Sequence, residues 1–530
     1  MIVAGLSLVA GACSNGDAMA DVRPTGLAFA DPGTAVADSG GTLRLGVVGV
    51  DSLDPARANP ASPSSMLVAD LLYDGLTGYD PKKGAVVGVL ARSWGVSGDG
   101  LTWTFEIDPA MTFADGSPVQ PADVKASIER VATRGDASVS GVRLAAIVGY
   151  DEFVRQAAHE ITGITGAGAT IQFHLRAPYA ALPELLADAA FGVVHAGDVT
   201  ATGFAASPVG SGPFGRVTRN AATLSLTRSP GSRARLAKVE VTVFADSAAA
   251  YAAFGRGELD EAPIPAELVD EAKAAVATNG GSVVSAPEQV SFVYGMNVAA
   301  PALANVQLRR AILRAVDRDA VRRQHFPDAT TMTGLIGPGA NGQRDNACGL
   351  ACAYDTREAS ALLKAAYPNG GVPTVHVDYF AGDNAREGKV AAAIVEGLLA
   401  AGIPAAVREH TLAEFQQLVA SGGAELFRYG WIGSYPSADA YLSPFELRGA
   451  DNVFSLEDAE LTALLAKARG ESADAPRTSA YVAAEDRIFA LAPVLPLVQY
   501  QTTVIARARV RDLVVAPDGS IDVLRVYVTE

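Results

Sequence analysis

The chain has 530 residues, enough at roughly 150 per domain for several domains with large buried cores, which excludes a small disulfide-held scaffold. Apolar residues make up 49% and charged residues 19%, ordinary globular usage that excludes bulk disorder and collagen-like repeats. With 42 basic and 58 acidic residues the net charge is −16, a field that repels phosphate backbones and anionic headgroups, so no nucleic-acid partner is expected.

The chain opens on an apolar run, Ile2 to Ala12, ending at Cys13. It is shorter than the ~20 residues that cross a bilayer, and no later stretch reaches that length without charges. Small residues before a Cys resemble a bacterial lipoprotein lipobox, which implies lipidation at Cys13. No Lys or Arg precedes the run, and Ala10 stands where Leu or Val is usual, so the true start is expected upstream. Residues 14–40, rich in Gly, Ala, Asp, Ser and Thr without an apolar period, read as a tether.

The folded body starts near Gly41. Leu43, Leu45 and Val47 alternate with polar or small residues, as do Trp103, Phe105 and Ile107, and both runs predict strands. Further strands are predicted at Thr223–Arg228, Lys238–Phe244 and Thr374–Tyr379. Helical spacing appears at Asn305–Asp319 and at Arg386–Ala401, where Val390, Ile394 and Leu398 recur every fourth residue. Interleaved strands and helices place the chain in the α/β or mixed α+β class. The remaining cysteines, Cys348 and Cys352, sit in a loop-like Gly, Asn and Asp context with no further ligands for a metal nearby; they read as a local disulfide rather than two free thiols.

Catalytic constellations were not found. Gly337-Pro338-Gly339-Ala340-Asn341-Gly342 has dinucleotide-loop spacing, but the residues after it, Gln343 to Asn346, read as a loop where that site needs a helix. There is no Gly-x-Ser-x-Gly elbow and no phosphate loop. The six histidines show no spacing that pairs two on one helical face, so neither a metal site nor a cofactor is expected. Glu258, Asp260 and Glu261 read as a charge run facing solvent.

Several segments in order carry a resemblance: Leu53-Asp54-Pro55, Leu72-Tyr73-Asp74-Gly75-Leu76, Leu90 to Trp94, Asp99 to Phe105, Phe113 to Val119 with Asp123-Val124, Gly210-Ser211-Gly212-Pro213-Phe214, and Val306 to Arg318. Together they resemble the oligopeptide- and dipeptide-binding family of solute-binding proteins, and are similar to the dipeptide-binding lipoproteins of actinobacteria. The resemblance spans about residues 41 to 530. It implies a two-lobe periplasmic-binding-protein type II fold with an extra inserted domain. Lobe I would comprise 41–73, 209–289 and 498–530, with the extra domain at 74–208, and lobe II would be 290–497. Gln289 and Tyr500 are then the hinge candidates. The implied function is a monomeric, lipid-anchored receptor that is not an enzyme, captures short peptides outside the cytoplasm and passes them to ABC-transporter permease subunits. Haem or a metal chelate is the alternative solute, and a secreted hydrolase lacks a nucleophile with a base.

The family match makes Arg428-Tyr429-Gly430-Trp431-Ile432-Gly433-Ser434 the ligand strand, facing Val50-Asp51-Ser52 across the cleft. There, main-chain hydrogen bonds to the ligand would tolerate varied side chains. Trp431 reads as either ligand wall or core, Ser52 as either ligand contact or turn cap, and Arg428 as either carboxylate partner or surface residue. Ser434 stands where peptide-binding members commonly carry an Asp that pairs with the ligand's terminal ammonium. A hydroxyl cannot balance a desolvated ammonium, so another carboxylate, Asp439 or Asp51 by sequence, must replace it, or the ligand lacks the amine.

Overall fold

The computed structural model describes residues 40–529 apart from 51, 134–142, 200–203, 383–384 and 447–451. Cys13 and the tether up to residue 39 lie outside the described residues. Strand β1 (Thr42–Val48) follows the predicted alternation, with Leu43, Leu45 and Val47 buried. Helix α1 (Pro63–Leu72) comes next, begun by the Ser62 hydroxyl, which accepts the Ser65 N–H. The stretch after α1 holds a hairpin of β2 (Thr77–Asp80) with β3 (Ala85–Gly88). It also holds an antiparallel sheet ordered β4-β5-β7-β6, from β4 (Ala91–Val96), β5 (Thr102–Ile107), β6 (Ile164–Ala167) and β7 (Thr170–His174).

Val510–Arg511 pairs with Tyr527–Val528 apart from the main sheet, and ten further strands join β1 in one eleven-stranded mixed sheet. They are β8 (Arg216–Asn220), β9 (Thr223–Thr227), β10 (Lys238–Phe244), β11 (Glu261–Pro263), β12 (Ser282–Met296), β13 (Ala329–Thr331), β14 (Val375–Phe380), β15 (Ala405–His410), β16 (Leu426–Ile432) and β17 (Val494–Ala506). Their order is β15-β14-β16-β12-β17-β11-β1-β10-β9-β8, with β13 added on β17.

The long antiparallel pair β12–β17 is the spine of this sheet. Ser282–Pro287 pairs with Gln501–Ala506 on the side of β11, β1 and β10, whereas Ser291–Gly295 pairs with Val494–Gln499 beside β16 and β14. The register breaks between Pro287 and Ser291. The Gln499 side chain fills the break by donating to the carbonyls of Glu288 and Val290, so buried backbone acceptors keep partners where the ladder fails. Gln289 and Tyr500 both lie at this break.

Two sequence expectations are corrected. The helix expected over Asn305–Asp319 is two helices, Val306–Ala315 and Arg318–His325: Val316 is extended, and the Asp317 carboxylate accepts the Ala320 N–H and starts the second. The charge run at 258–261 does not face solvent throughout, because β11 lies inside the sheet between β17 and β1. Asp260 and Glu261 are buried; Asp260 takes a forked pair from the Arg44 guanidinium at 2.8 and 3.1 Å.

Candidate functional site

β16 carries the predicted ligand strand, and it is already paired antiparallel with β12, Trp431 opposite Ser291. Trp431 is half-buried; its ring stacks on Tyr429 at 6.1 Å and its indole N–H donates to the Ala440 carbonyl at 2.7 Å. Tyr429 and Trp431 border a small apolar cavity of about 20 Å³. Gly430 lies opposite Phe292, and Ile432, opposite Val290, ends the strand. The Arg428 guanidinium sits 3.5 Å from the Glu387 carboxylate and over the rings of Phe292 and Phe380, so its charge has a partner within the protein. Gly433 donates its N–H to Gln289 at the crossing, 2.8 Å away, and an added Cβ there would lie 2.2 Å from the Tyr441 ring.

Of the facing segment, Val50 packs against the core around β1, and the Ser52 hydroxyl accepts the Asp54 N–H at 3.1 Å. Asp51 lies outside the described residues. Asp439 is buried 2.7 Å from Arg469, with the Tyr179 hydroxyl donating at 3.2 Å. Burial opposes its charge, but Arg469 and Arg143 outweigh that and hold its pKa below the ordinary carboxylate range. Cys348 and Cys352 are joined as a disulfide, Cα atoms 5.6 Å apart.

Ser434 is different from its neighbours. It is 6% exposed, and among the described residues its hydroxyl has no hydrogen-bond partner. It lines a cavity of about 160 Å³ whose other walls come from α1, the β2–β3 hairpin, the crossing residue Gln289 and the C-terminal segment 516–524. Local chemistry fixes each wall. The Gly-Ser-Gly-Pro-Phe turn clamps the C-terminus of α1, with the N–H groups of Gly212 and Phe214 each donating at 2.9 Å to Leu72 and Leu71. Gly210 comes so close that a Cβ would lie 1.8 Å from the Leu72 carbonyl, which only glycine permits. The C-terminal segment is held by Arg525, which pairs with Asp80 of β2 at 2.7 Å and Asp522 at 2.9 Å, and by the Pro517 carbonyl, which accepts the Gln289 N–H at 2.6 Å.

The charged residues lining the cavity are all acidic, Asp70, Asp74, Asp188, Asp518 and Asp522, with no Lys or Arg among the described lining residues. Asp70, exposed on α1, borders the cavity. Burial, then the charges of Asp518, Asp188, Asp74 and Asp522, push its pKa well above the carboxylate range. Burial also raises Asp518 and Asp522, and it pushes Asp74 up to about 7. A second cavity of about 360 Å³ shares Leu67, Ser520 and Ile521 with the first; its charged lining residues, Glu261 and Glu288, are both raised by burial.

The acidic cavity was not anticipated from the sequence, since its walls are more than 400 residues apart in the chain. One local clue existed. Asp70 is the one charged residue of α1 and stands in its last turn, where the helix dipole disfavours a carboxylate.

Residues 85–452 match the model for bacterial extracellular solute-binding proteins, family 5. The glutathione-binding protein GsiB of Pectobacterium atrosepticum is 28% identical over 461 residues, covering 83% of this chain and 85% of that protein. The GsiB of Escherichia coli strain K12 is 27% identical over 468 residues, covering 84% of this chain and 86% of that one. Among solved structures, clavulanic acid biosynthesis oligopeptide binding protein 2 superposes with a TM-score of 0.80 at 24% identity, covering 93% of this chain and 96% of that one. The unliganded open form of the periplasmic murein tripeptide binding protein MppA gives a TM-score of 0.77 at 20% identity, covering 93% and 98%. These structures share the two-lobe type II periplasmic-binding fold. With its residues 85–452 matched, this chain belongs to the family 5 bacterial extracellular solute-binding proteins, the solute-capturing components of ABC importers.

Proposed function

We propose that the protein is an extracytoplasmic, lipid-anchored receptor that captures a short peptide between its lobes and delivers it to the permease subunits of an ABC importer. The observation that carries this reading is the cavity at Ser434, where the chain just past β16 meets α1 and the C-terminal segment 516–524 beside Gln289. Relatives named for glutathione, a tripeptide, support a peptide-sized solute. Val50 to Ser52 and Arg428 to Ser434 are proposed as the walls that close on it.

Native mass spectrometry of the purified protein, followed by titration with di- to pentapeptides and glutathione, tests the reading. A bound or titrating peptide is the expected result; no peptide binding together with tight haem binding would overturn it. Anchoring is tested separately. Cys13→Ser, in the chain restored to its full start, should release the protein from the membrane fraction, and retention there would count against lipidation.

A further inference from the structure

We infer that the end of the main sheet where the chain enters the fold is a membrane-contact surface, whose arginines seat on anionic phospholipid headgroups and hold the solute-capturing side away from the bilayer. The inference rests on the lipid-anchored receptor reading above and adds an orientation to it.

Charge distribution is the first observation. The chain has 58 acidic residues, yet none falls within 199–239, a stretch that holds Arg216, Arg219, Arg228, Arg233, Arg235 and Lys238. Strand register gathers several of these at one end of the sheet. Arg216 of β8 lies opposite Thr227 of β9, Thr227 opposite Lys238 of β10, and Lys238 opposite Thr42 of β1. At ~4.8 Å between strands that row is ~15 Å wide. Arg228 directly follows β9. Arg216 and Arg228 are exposed, and their guanidinium groups donate to the carbonyls of Ala114 and Ala234, so among the described residues no carboxylate neutralises them.

The second observation is where the chain comes in. The N–H of Gly40, the first described residue, donates to the Arg235 carbonyl at 2.8 Å, and the Ala237 N–H donates to the Gly41 carbonyl at 3.0 Å. The Arg235 guanidinium lies 3.8 Å over the Tyr527 ring, and Tyr527 pairs in register with the exposed Arg511. Arginines thus surround the point from which the sequence leads back to Cys13. An acyl anchor at Cys13 would raise the effective concentration of this end at the bilayer surface.

The nearby carboxylates are engaged. Glu240 takes Lys238 at 2.6 Å, Asp260 is shared by Arg44 and Arg509 at 2.8 and 3.3 Å, and Asp512 pairs with Lys82; Glu530 lies outside the described residues. The net charge of −16 does not cancel the patch at contact, because charges beyond a Debye length, about 8 Å at physiological salt, are screened. A lipid surface suits this face better than a protein does. The exposed large apolar side chains of the described residues all lie elsewhere, whereas protein interfaces centre on apolar or aromatic anchors. β1 and β10 run parallel away from the patch, and Gly46 to Val48 at the other end of β1 line the 360 Å³ cavity. With the arginines on lipid, that cavity wall stands ~20 Å farther from the bilayer, facing arriving solute.

Vesicle co-sedimentation tests the surface, using the full chain carrying Cys13→Ser so that no acyl group contributes. Vesicles of phosphatidylglycerol with phosphatidylcholine should sediment the protein at low salt, and phosphatidylcholine alone should not. About 1 M salt, where the Debye length falls to ~3 Å, should release it. Arg216→Gln, Arg228→Gln and Arg511→Gln together should lower partitioning about a hundredfold, ~fivefold per charge. Lys273→Gln, Lys364→Gln and Lys467→Gln, at exposed positions elsewhere, should change it far less.

Equal sedimentation with both kinds of vesicle, or equal loss in the two triple variants, would overturn the surface. Binding to phosphatidylcholine vesicles only when they carry the permease subunits would assign the face to a protein and overturn the lipid contact. Anchoring and capture are read separately. A salt wash strips electrostatically held protein but not acylated protein, so retention through Cys13 can stand or fall without the arginines. Peptide titration of the arginine variant should match the wild type; a loss of peptide affinity there would place these residues in solute capture and overturn their assignment to lipid.

Discussion

Asp439 and Asp70 show how the same side chain takes opposite roles from its surroundings. Asp439 is 1% exposed, yet Arg469 reaches it at 2.7 Å and also pairs with Glu446, so the carboxylate stays charged in the interior. Breaking such a pair strands a charge. Arg469→Met should therefore lower unfolding stability by about 3–5 kcal/mol in denaturant titration, far more than a surface pair would lose. Arg428 is an intermediate case. Its guanidinium lies between two rings and beside Glu387, a side chain only 9% exposed, so Arg428→Ala should destabilise the fold even without ligand. If its variant instead weakens only ligands with a free carboxylate and leaves the denaturant midpoint unchanged, Arg428 is a ligand contact rather than a packing residue.

At the scale of elements, the position of α1 is set from both ends, by the Ser62 cap and by the turn at 210–214 that clamps its last carbonyls. Gly210→Ala would drive a methyl into the Leu72 carbonyl and should cost about 1–3 kcal/mol or more by overpacking. An unaltered denaturant midpoint would contradict the clamp. The 348–352 disulfide is the opposite case. Its ring closes over five residues, and so small a loop removes little chain entropy. Reduction should therefore cost about 2 kcal/mol or less, read as a small shift in the denaturant midpoint.

Across the whole molecule, carboxylates raised by burial set the pH dependence. Asp70, Asp74, Asp518, Asp522 and Glu261 all bind protons more tightly in the folded chain than their ordinary range allows, Asp74 with a pKa of about 7. Between the ordinary carboxylate range and these raised values the native state holds more protons than the unfolded one, so stability falls as pH rises through that window. Lowered groups such as Asp439 and Asp458 act oppositely and lose their contribution only below the ordinary range. The empty protein should thus show a higher denaturant midpoint near about pH 5 than near about pH 8. The reverse order would contradict it.

Closure belongs to the same scale. Residues 179–184 already touch segments far along the chain: Tyr179 meets Tyr435 at 2.8 Å, Arg477 meets Glu184 at 3.1 Å, and the Ala180 N–H donates to the Arg469 carbonyl at 2.8 Å. If these contacts close the clamp, Arg477→Ala should weaken solute binding by favouring the open form. Small-angle scattering should then show a larger radius of gyration for that variant. Saturating ligand should shrink the wild type, and identical scattering in all states would argue against a closing clamp.

Much of the fold was legible in the sequence because it rests on local period. The alternation at Lys238–Phe244 gives β10, and the four-residue spacing of Val390, Ile394 and Leu398 gives the helix Arg386–Ala400, since one-sided burial imposes each repeat. The ordered family motifs likewise indicated the two-lobe class. Burial of Asp260 and Glu261 was not legible, because whether a short acidic run meets water depends on which strands flank it, here β17 and β1. The acidic cavity was hidden for the same reason. Nothing near Ser434 in the sequence announces Asp70 or Asp518, which reach it only because the turn at 210–214 clamps α1 and Arg525 ties down the last residues. Sequence by itself determined the elements and the family, properties carried by neighbouring residues. Only the tertiary structure decided which charges share an enclosed space, because desolvation and Coulomb coupling depend on distances that chain order does not contain.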